Sequence, residues 1–384
     1  MPLVSQESSR LDRIDWNFPQ SGTAQGTIHR VHWFPGNFIP QIPAALIEIL
    51  SSPGDLILDP FGGSGTTTLE AARLGRRSVY SDRISSCVFL TRAKLAAITR
   101  GLSPATRDRI LEAITFDHMC VSDAAGLNGE GGDEALTLWY APRTLAQLRY
   151  LWALIEREEE EQKLILELAF SDLLFACAST GGSQTGTGKV RRHHWGWVAD
   201  NVLPKSFIEH DAISGFRVRL LQLTQPLQPP TYEPRVLQAD ARALPLDACT
   251  VDLIVTSPPY IGVIDYVRAN RLLYMWMGWP FEEDRAAEIG ARYKRWRRSA
   301  SEEYLREMAD CWKEMQRVLR PGGRLAVVIG ESRASPGTFS RSLEHLSALM
   351  PIVWGPKERT PTRRRVADRA ARTFREVVLV AEKQ

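Results

Sequence analysis

One stretch of the chain, residues 56–82, constrains the fold more than any other. A short apolar run, Leu56–Leu58, leads into the segment DPFGGSGTT, which is followed by a helical pattern and by a second short strand that ends at Asp82. A strand, a glycine loop, a helix, a strand and an acid in this order open a doubly wound α/β fold that binds nucleotides. The sequence therefore predicts an α/β protein with a Rossmann-like sheet.

The glycine loop, Asp59–Thr67, has the features of a ligand cradle. Glycines after a strand let the backbone approach a ligand closely and bring amide N–H groups to the start of a helix. The loop lacks the lysine of a phosphate loop and the G-x-G-x-x-G spacing of NAD sites. Asp82 ends the next strand, where a carboxylate accepts both hydroxyls of a ribose. The alternative is a structural turn beside an unrelated surface aspartate.

A second loop, Thr256–Tyr260 (TSPPY), follows the apolar strand Leu253–Val255. Two prolines fix φ at both positions and remove two N–H donors, so the carbonyls there are held as acceptors. An amine between the Ser257 oxygen and the Pro258 carbonyl would donate two hydrogen bonds, and a base would stack on Tyr260. The alternative is a turn that ends a strand and buries a tyrosine.

Composition excludes several classes of protein. The chain has 384 residues, 44% hydrophobic and 24% charged, and no apolar run of membrane-spanning length. Its five cysteines are odd in number and form no C-x-x-C pair, which argues against disulfides or zinc and fits a reducing cytosol. His193-His194 has no suitably spaced partner, so no metal is expected. We expect a cytoplasmic protein without a secretory signal.

The chain divides into four parts. Residues 1–30 are polar and are expected to form a loose N-terminal arm, and residues 31–100 hold the first half of the catalytic domain. Residues 101–230 show helical patterns without alternating strands and end in the proline-rich segment QPLQPPTYEP, so they are interpreted as a largely helical insertion that is expected to help recognise the target. Residues 231–384 return to alternating strands and helices and form the second half of the domain with the TSPPY loop. A helix is expected over residues 302–319, ending at RPGG, and a strand at TFREVVLVAEK near the C-terminus.

DPFGGSGTT together with TSPPY resembles the amino-methyltransferases of DNA, the enzymes that make N4-methylcytosine or N6-methyladenine. In that family the first motif binds S-adenosylmethionine (SAM), and the second holds the target amine. The segment WFPGNF, Trp33–Phe38, resembles the part that covers the methionine end of SAM, and Asp240 stands where the family contacts the adenine. The resemblance implies a SAM-dependent methyltransferase fold. The expected cofactor-binding residues are Phe34, Asp59, Pro60, Phe61, Gly63, Gly65, Thr66, Asp82 and Asp240.

Two departures bear on the subgroup. In family members with a DPF-x-G-S-G-T loop, TSPPY often precedes the glycine loop, whereas here it follows, in the unpermuted order of a SAM-dependent fold. A serine opens the second loop, where adenine enzymes usually have aspartate or asparagine, and serine is more typical of enzymes that act on cytosine N4. The sequence favours cytosine N4, with adenine N6 as the alternative. The expected catalytic residues are Ser257, Pro258, Pro259 and Tyr260.

The expected partner is double-stranded DNA with the target base flipped out, at a specific site such as those of restriction-modification systems. A cognate restriction endonuclease would then be a second partner, and the protein would lie at the nucleoid of a prokaryotic cell. Arginine interleaved with tryptophan suits phosphate and base contact. The expected DNA-binding residues are Lys189, Arg191, Arg192, Arg295, Arg297 and Arg298, and a further arginine cluster occupies residues 363–372. A solvated charged face is the alternative for each cluster.

Two other functions remain open from sequence alone. Guanine-N2 methyltransferases of tRNA also pair a DPF-x-G-S-G-T loop with a Pro-Pro-Tyr loop, although they usually carry an N-terminal RNA-binding domain and begin the second loop with aspartate or asparagine. An inactive DNA-binding subunit that kept the fold is the non-enzymatic alternative. No motif is broken, which favours an active enzyme, and a SAM-binding assay separates the two. The sequence does not indicate the oligomeric state.

Overall fold

The protein was analysed as a computed structural model, which describes residues 5–19, 28–116, 133–179, 198–223, 229–333, 335–360 and 373–384. Seven strands form one sheet in the order β3-β2-β1-β4-β5-β7-β6. The strands are β1 Leu56–Asp59, β2 Arg77–Asp82, β3 Arg235–Gln238, β4 Val251–Thr256, β5 Leu319–Ser332, β6 Ile352–Arg359 and β7 Thr373–Glu382. Strands β1 to β5 pair in parallel, and β7 inserts antiparallel between β5 and β6.

Helices cover both faces of this sheet, because its central strands are apolar on both sides. One face carries Ile57, Val255 and Val328 against the first helices of the chain. The other carries Leu58 and Ile254 against the long helix that follows the TSPPY loop. This is the doubly wound α/β fold expected from sequence, and it is confirmed.

The helices of the sheet-forming parts are distributed along the whole chain. They are α1 Ser5–Asp12, α2 Gln41–Leu50, α3 Thr66–Arg73, α4 Ser85–Thr99, α10 Tyr266–Ala269, α11 Arg271–Met277, α12 Phe281–Ala287, α13 Ala300–Val318 and α14 Thr338–Leu349, with 3₁₀ turns at Ile28–Arg30 and Arg292–Trp296. Among the described residues, no helix is long and apolar enough to cross a bilayer.

The described part of residues 101–230 is helical. Its helices are α5 Pro104–Phe116, α6 Asp133–Thr137, α7 Pro142–Ile155, α8 Glu160–Ala176 and α9 Ala212–Leu223. They share one apolar core with α4, α10 and α11, in which Leu148, Phe170 and Phe216 are fully or almost fully buried. The helical segment is therefore joined to the sheet domain by continuous packing rather than by a hinge alone.

The first residues differ from the loose arm expected from sequence. Residues 5–12 form α1, and Leu11 and Trp16 are buried. The Trp16 ring lies 5.7 Å from that of Trp354 on β6, and its carbonyl accepts a hydrogen bond from Arg359 Nε at 2.9 Å. The expectation of a loose arm was wrong for these residues. Two buried apolar side chains, Leu11 and Trp16, are enough to pack this otherwise polar segment against the sheet.

Candidate active site

Neighbouring strands bring the two sequence motifs together. Strands β1 and β4 are adjacent and parallel, with Leu58 paired to Ile254. Because parallel strands end at the same edge of a sheet, the glycine loop after β1 and the TSPPY loop after β4 lie side by side. Thr256 Oγ1 donates a hydrogen bond to Asp59 Oδ1 at 2.6 Å. The strand order reverses at this point, which is where doubly wound folds form their ligand crevice.

The glycine loop is shaped as a cradle by positive φ angles. Gly65 has φ +83° at the start of α3, and a Cβ there would lie 2.7 Å from Thr91 Oγ1. Gly63 has φ +49°, and its carbonyl accepts from Tyr80 Oη at 2.9 Å. Side chains at either position would strain or fill the cradle. The first amide N–H groups of α3, beginning at Thr66, have no partner within the helix and are therefore available to a ligand.

Asp82 lies at the end of β2 beside this cradle. Its Oδ2 accepts from Gly63 N and its Oδ1 from Ile84 N, both at 2.9 Å. Burial raises the pKa of this carboxyl to about 6, despite the two backbone donors. Each oxygen keeps a lone pair for one more donor. The position and acceptor capacity suit a carboxylate that binds two neighbouring hydroxyls.

Asp59 has a different environment. It is buried, and burial raises its pKa to about 6. The same oxygen that accepts from Thr256 also accepts from Phe61 N at 3.1 Å. Asp59 therefore braces the glycine loop against the TSPPY loop, while Pro60 and Phe61 carry the chain from the strand into the cradle.

The segment Trp33–Phe38 lies on the glycine loop. The Phe34 ring stacks on Tyr266 with centroids 5.6 Å apart, and a Cβ on Gly63 would lie 3.5 Å from Phe34. Ser64 Oγ donates to Asn37 Oδ1 at 3.0 Å. The structure thus brings Phe34, which was expected to cover the methionine end of SAM, together with the glycine loop.

Helix α8 of the insertion holds the start of this segment. Trp33 N donates to Asp172 Oδ1 at 3.1 Å, and the Trp33 ring stacks on Phe175 at 5.2 Å. His32 Nδ1 lies 2.9 Å from Ser171 Oγ, and burial lowers the pKa of His32 to about 4. The imidazole is neutral at neutral pH, so these contacts are structural rather than acid–base contacts.

Asp240 follows β3 and lies near Asp82, whose carbonyl accepts from Ala239 N at 3.1 Å. The Asp240 carboxylate forms an ion pair with Arg242, at 2.6 Å from Oδ2 to Nη2. The Arg242 backbone N and Nε also donate to Oδ1, both at 2.9 Å. Hydrogen bonds from Arg242 lower the pKa of Asp240, against the effect of its partial burial. A ligand that donates a hydrogen bond to Asp240 must therefore use the carboxylate lone pairs that do not already accept from Arg242.

The hydroxyl of the tyrosine in the TSPPY loop is hydrogen-bonded to a buried ion pair. Tyr260 Oη donates to Glu376 Oε1 at 2.8 Å, and Glu376 pairs with Arg359 across strands β7 and β6. Ser257 Oγ lies 3.4 Å from Tyr260 Oη. Because the tyrosine proton goes to the carboxylate, the hydroxyl of Ser257 donates to Tyr260. The lone pairs of Ser257 then remain as acceptors.

The two proline carbonyls of this loop differ. Tyr304 Oη, on α13, donates to the Pro259 carbonyl at 3.0 Å. Among the described residues, no hydrogen bond reaches the Pro258 carbonyl. Pro258 therefore presents an unused acceptor next to that of Ser257.

The basic residues expected to bind DNA fall into two groups. Arg295, Arg297 and Arg298 lie in and after the 3₁₀ turn Arg292–Trp296, where Arg292 N donates to the Ile264 carbonyl of the segment that follows the TSPPY loop. Lys189, Arg191 and Arg192, with His193-His194 and the arginines of residues 363–372, lie outside the described residues. Within the part of the chain that the structure describes, no group of histidine, cysteine and carboxylate side chains is arranged to hold a metal ion.

Sequence reasoning missed the residues that support the site from a distance. Glu376, Arg359 and Tyr304 reach the TSPPY loop from β7, β6 and α13, and no local pattern marks them. Thr256 was within the quoted motif, and a hydroxyl after a buried strand was the available signal. Lys94 Nζ, buried in α4, donates to the Ser64 carbonyl at 3.0 Å, and a lysine inside an apolar helical run was the signal there.

Comparison with known proteins identifies a matching family model and several similar proteins. A family model described as DNA methylase matches residues 7–121 and 251–384, more than half of the chain. The Type II methyltransferase M.MjaII of Methanocaldococcus jannaschii is 20% identical over 410 residues, covering 84% of this chain and 76% of that protein. The Type II methyltransferase M2.DpnII of Streptococcus pneumoniae is 43% identical over 72 residues, 18% of this chain and 27% of that protein. The crystal structure of TrmN from Thermus thermophilus matches 91% of this chain and 50% of its own at 15% identity, with a TM-score of 0.34.

Proposed function

Because the chain belongs to the DNA methylase family of N6 and N4 amino-methyltransferases, with SAM as cofactor, we propose that it methylates N4 of cytosine in double-stranded DNA. One observation carries the proposal. The hydrogen bond from Thr256 to Asp59 joins the TSPPY loop to the glycine loop, so the amine acceptors lie next to the cradle. A methyl donor and an amine bound at these two loops would meet in one crevice.

The residues of the cradle fit SAM. Gly63 and Gly65 take the positive φ angles that the turn of the loop requires, and Asp82 offers a partly buried carboxylate to the two ribose hydroxyls. The Phe34 ring lies against Gly63 of the cradle, and Asp240 follows the end of the neighbouring strand β3. When bound, SAM supplies a methyl group activated by its sulfonium charge.

The amine is held by acceptors of the TSPPY loop. An exocyclic amine is a poor nucleophile because its lone pair is delocalised into the ring. Ser257 Oγ and the Pro258 carbonyl accept hydrogen bonds from its two N–H groups, which favours a tetrahedral nitrogen with its lone pair directed away from the ring. The acceptors also stabilise the positive charge that develops on nitrogen as the methyl group transfers, and the methylated amine then loses one proton to water, so no strong base is required.

The base must leave the duplex to reach this loop. Flipping costs a few kcal/mol, and stacking on an aromatic ring such as Tyr260 recovers about 1–3 kcal/mol. The Glu376 contact fixes the hydroxyl end of Tyr260, so the ring is positioned before the base arrives. The hydrogen bond from Tyr304 to the Pro259 carbonyl holds the turn of the loop in place next to the space proposed for the base.

Cytosine N4 is proposed over adenine N6 because serine opens the loop. A hydroxyl, unlike a carboxylate, adds no negative charge next to the amine, and this feature is more typical of the cytosine-N4 enzymes. Arg295, Arg297 and Arg298, with Lys189, Arg191 and Arg192, are proposed to hold DNA phosphates. We further propose that the enzyme acts at a specific site, at the nucleoid in the cytoplasm, with a cognate restriction endonuclease as its counterpart.

The test is to identify the modified nucleoside. Purified protein is incubated with isotopically labelled SAM and, separately, with duplex DNA, single-stranded DNA and tRNA, and the nucleosides are separated by mass spectrometry. The expected product is labelled N4-methylcytosine from duplex DNA. Labelled N6-methyladenine would replace the proposed base, and label only in tRNA guanosine would overturn the proposed substrate.

A further inference from the structure

Trp296 is far more exposed than any other large apolar side chain of the described residues. Its side chain is 81% exposed, whereas the next, Val218, is 55% exposed. Exposing an indole to water is unfavourable, and such a side chain is commonly buried in a complex. We therefore expect Trp296 to bind a partner molecule, and the charges around it indicate the chemical class of that partner.

Trp296 stands on a segment that is fixed to the loop after TSPPY. Gly262 N donates to the Gly290 carbonyl at 2.8 Å, and Arg292 N to the Ile264 carbonyl at 3.0 Å. Tyr293 N donates to Asp265 Oδ1 at 2.9 Å. At about 2 Å per residue of 3₁₀ helix, Trp296 lies only about 6 Å further along the axis than Tyr293. Its position is thus tied to that of the proposed base pocket.

The surroundings of Trp296 are strongly positive. The Tyr293 ring gathers the guanidinium groups of Arg285, Arg268 and Arg297, at 4.4, 5.6 and 5.8 Å from its centroid. The Arg295 guanidinium lies 4.5 Å above the Trp296 ring. The three arginines around Tyr293 are balanced, since Arg285 and Arg297 also pair with glutamates and Arg268 pairs with Asp265.

Two arginines next to Trp296 are not balanced in this way. Within the described part of the chain, no carboxylate lies at ion-pair distance from Arg295 or Arg298. Burial together with the charge of Arg292 lowers the pKa of Arg295, while the more distant Asp265 and Asp200 act in the opposite direction. Exposed guanidinium groups without an ion-pair partner favour an anionic partner. An apolar protein surface would instead leave these charges buried and unpaired.

From this arrangement we infer that Trp296 is an aromatic wedge that inserts into the target duplex beside the extruded base. The inference rests on the proposed function, and it adds a residue that works on the DNA rather than on the extruded base. Arg295 and Arg298 take the flanking phosphates, and the indole stacks on a base next to the gap. Apolar side chains that enter the base stack in this way hold a duplex in its opened form. Trp296 would therefore favour the extruded state, while Tyr260 receives the base.

The experiment compares Trp296→Ala with wild type in single-turnover methylation at saturating SAM, on a normal duplex and on one with the target base mispaired. On the normal duplex the variant should be about ten-fold slower, the equivalent of about one stacking contact. On the mispaired duplex, where extrusion is already easy, the loss should shrink to about two-fold. Trp296→Phe should retain most of the rate, since a stacking face remains.

Three further measurements make the result specific. Tyr232→Ala is the matched control, because Tyr232 is also exposed but lies against Gly54 at the opposite end of β1, and it should leave the rate unchanged. Arg298→Ala should flatten the salt dependence of DNA binding by about one slope unit, whereas Trp296→Ala should not. A fluorescent cytosine analogue that still pairs with guanine, such as pyrrolocytosine, placed at the target position should brighten less with Trp296→Ala than with wild type, because less of the base is extruded.

The inference fails if Trp296→Ala equals wild type on the normal duplex, or if the loss is the same on both duplexes. A variant with normal transfer but a changed oligomeric state would assign Trp296 to a protein interface and would also overturn it. These outcomes differ from failure of the proposed function, in which wild-type protein itself transfers no methyl group to DNA.

Discussion

At the scale of single residues, Asp82 links cofactor binding to pH. Its pKa is raised to about 6 by burial, so the carboxylate that is proposed to accept the ribose hydroxyls loses its charge as pH falls through about 6. SAM affinity should be constant above pH 7 and weaken as the pH falls from 7 to 5. Removing the carboxylate charge with Asp82→Asn should cost about 1–3 kcal/mol at pH 7.5, through lost charge-assisted hydrogen bonds.

Calorimetric titration of SAM at several pH values checks both expectations. The buried Asp59 also titrates near pH 6, so Asp82→Asn should keep a smaller pH step rather than none. A variant with wild-type affinity, or with the full pH step, would remove Asp82 from the cofactor site.

The hydroxyl of Tyr260 offers a second residue-scale prediction. Tyr260→Phe keeps the stacking ring and the ion pair between Glu376 and Arg359, but it removes the group that receives the Ser257 proton. Ser257 is then free to point its proton at the amine, and the transfer rate should fall about ten-fold, as expected for one lost hydrogen bond. DNA affinity should hold, because the ring remains. Pre-steady-state kinetics with separate DNA-binding titrations measure the two effects, and unchanged transfer would dismiss the hydrogen-bond chain.

Residues of this kind show where sequence reasoning ends. Ser257 and Asp82 were predictable because each follows an apolar strand, within a pattern whose spacing reflects local geometry. Glu376 was not, because it reaches Tyr260 from β7 through a strand pairing that no local pattern encodes. Nor does the sequence indicate that Arg242 forms an ion pair with Asp240, since the side chain of a neighbouring arginine can equally extend into solvent.

At the scale of elements, helix α8 of the insertion supports the cofactor site. Asp172 accepts from Trp33 N and pairs with Arg219 of α9 at 2.7 Å. The insertion was expected to recognise the target, and these contacts add a bracing role for its helical core. The segment that carries Phe34 over the cradle is therefore held by two helices of the insertion.

Asp172→Ala should loosen that segment without touching the cradle itself. SAM affinity should fall by about 1 kcal/mol, less than the roughly 1.5–3 kcal/mol of a hydrogen bond to a charged group, because Asp172 acts on the cofactor only through the segment, and the thermal midpoint should fall as well. Glu161→Ala, which removes an exposed ion pair of the same helix with Arg100, is the control and should change neither. Equal SAM affinity in the two variants would confine the insertion to target recognition.

Element types were more predictable than their arrangement. The pattern around the glycine loop predicted β1, α3 and β2, and the RPGG segment predicted the end of helix α13. The final strand, β7, was also expected, but its antiparallel place between β5 and β6 depends on packing across the whole sheet. The polar composition of residues 1–30 hid α1 and Trp16, because two buried side chains leave no periodic signal.

At the scale of the whole molecule, the strand order explains how one chain brings the proposed cofactor site next to the proposed amine site. Strand β1 has β2 on one side and β4 on the other, so the cradle, Asp82 and the TSPPY loop meet at one edge of the sheet. The helical insertion packs behind the cover segment, and the Trp296 segment lies beside the amine site. The central claim is that the two loops form one site with separable duties.

Ser257→Ala measured beside Asp82→Asn tests that claim most directly. Each variant is assayed for SAM affinity by calorimetry and for single-turnover methyl transfer to duplex DNA at saturating SAM. Ser257→Ala should bind SAM like wild type yet transfer the methyl group more slowly by about 2–4 kcal/mol of barrier, the cost of one positioned acceptor. Asp82→Asn should instead bind SAM weakly and recover most of the rate when SAM saturates. A Ser257→Ala enzyme with the wild-type transfer rate would contradict the assignment of TSPPY as the catalytic loop, and with it the proposed reaction.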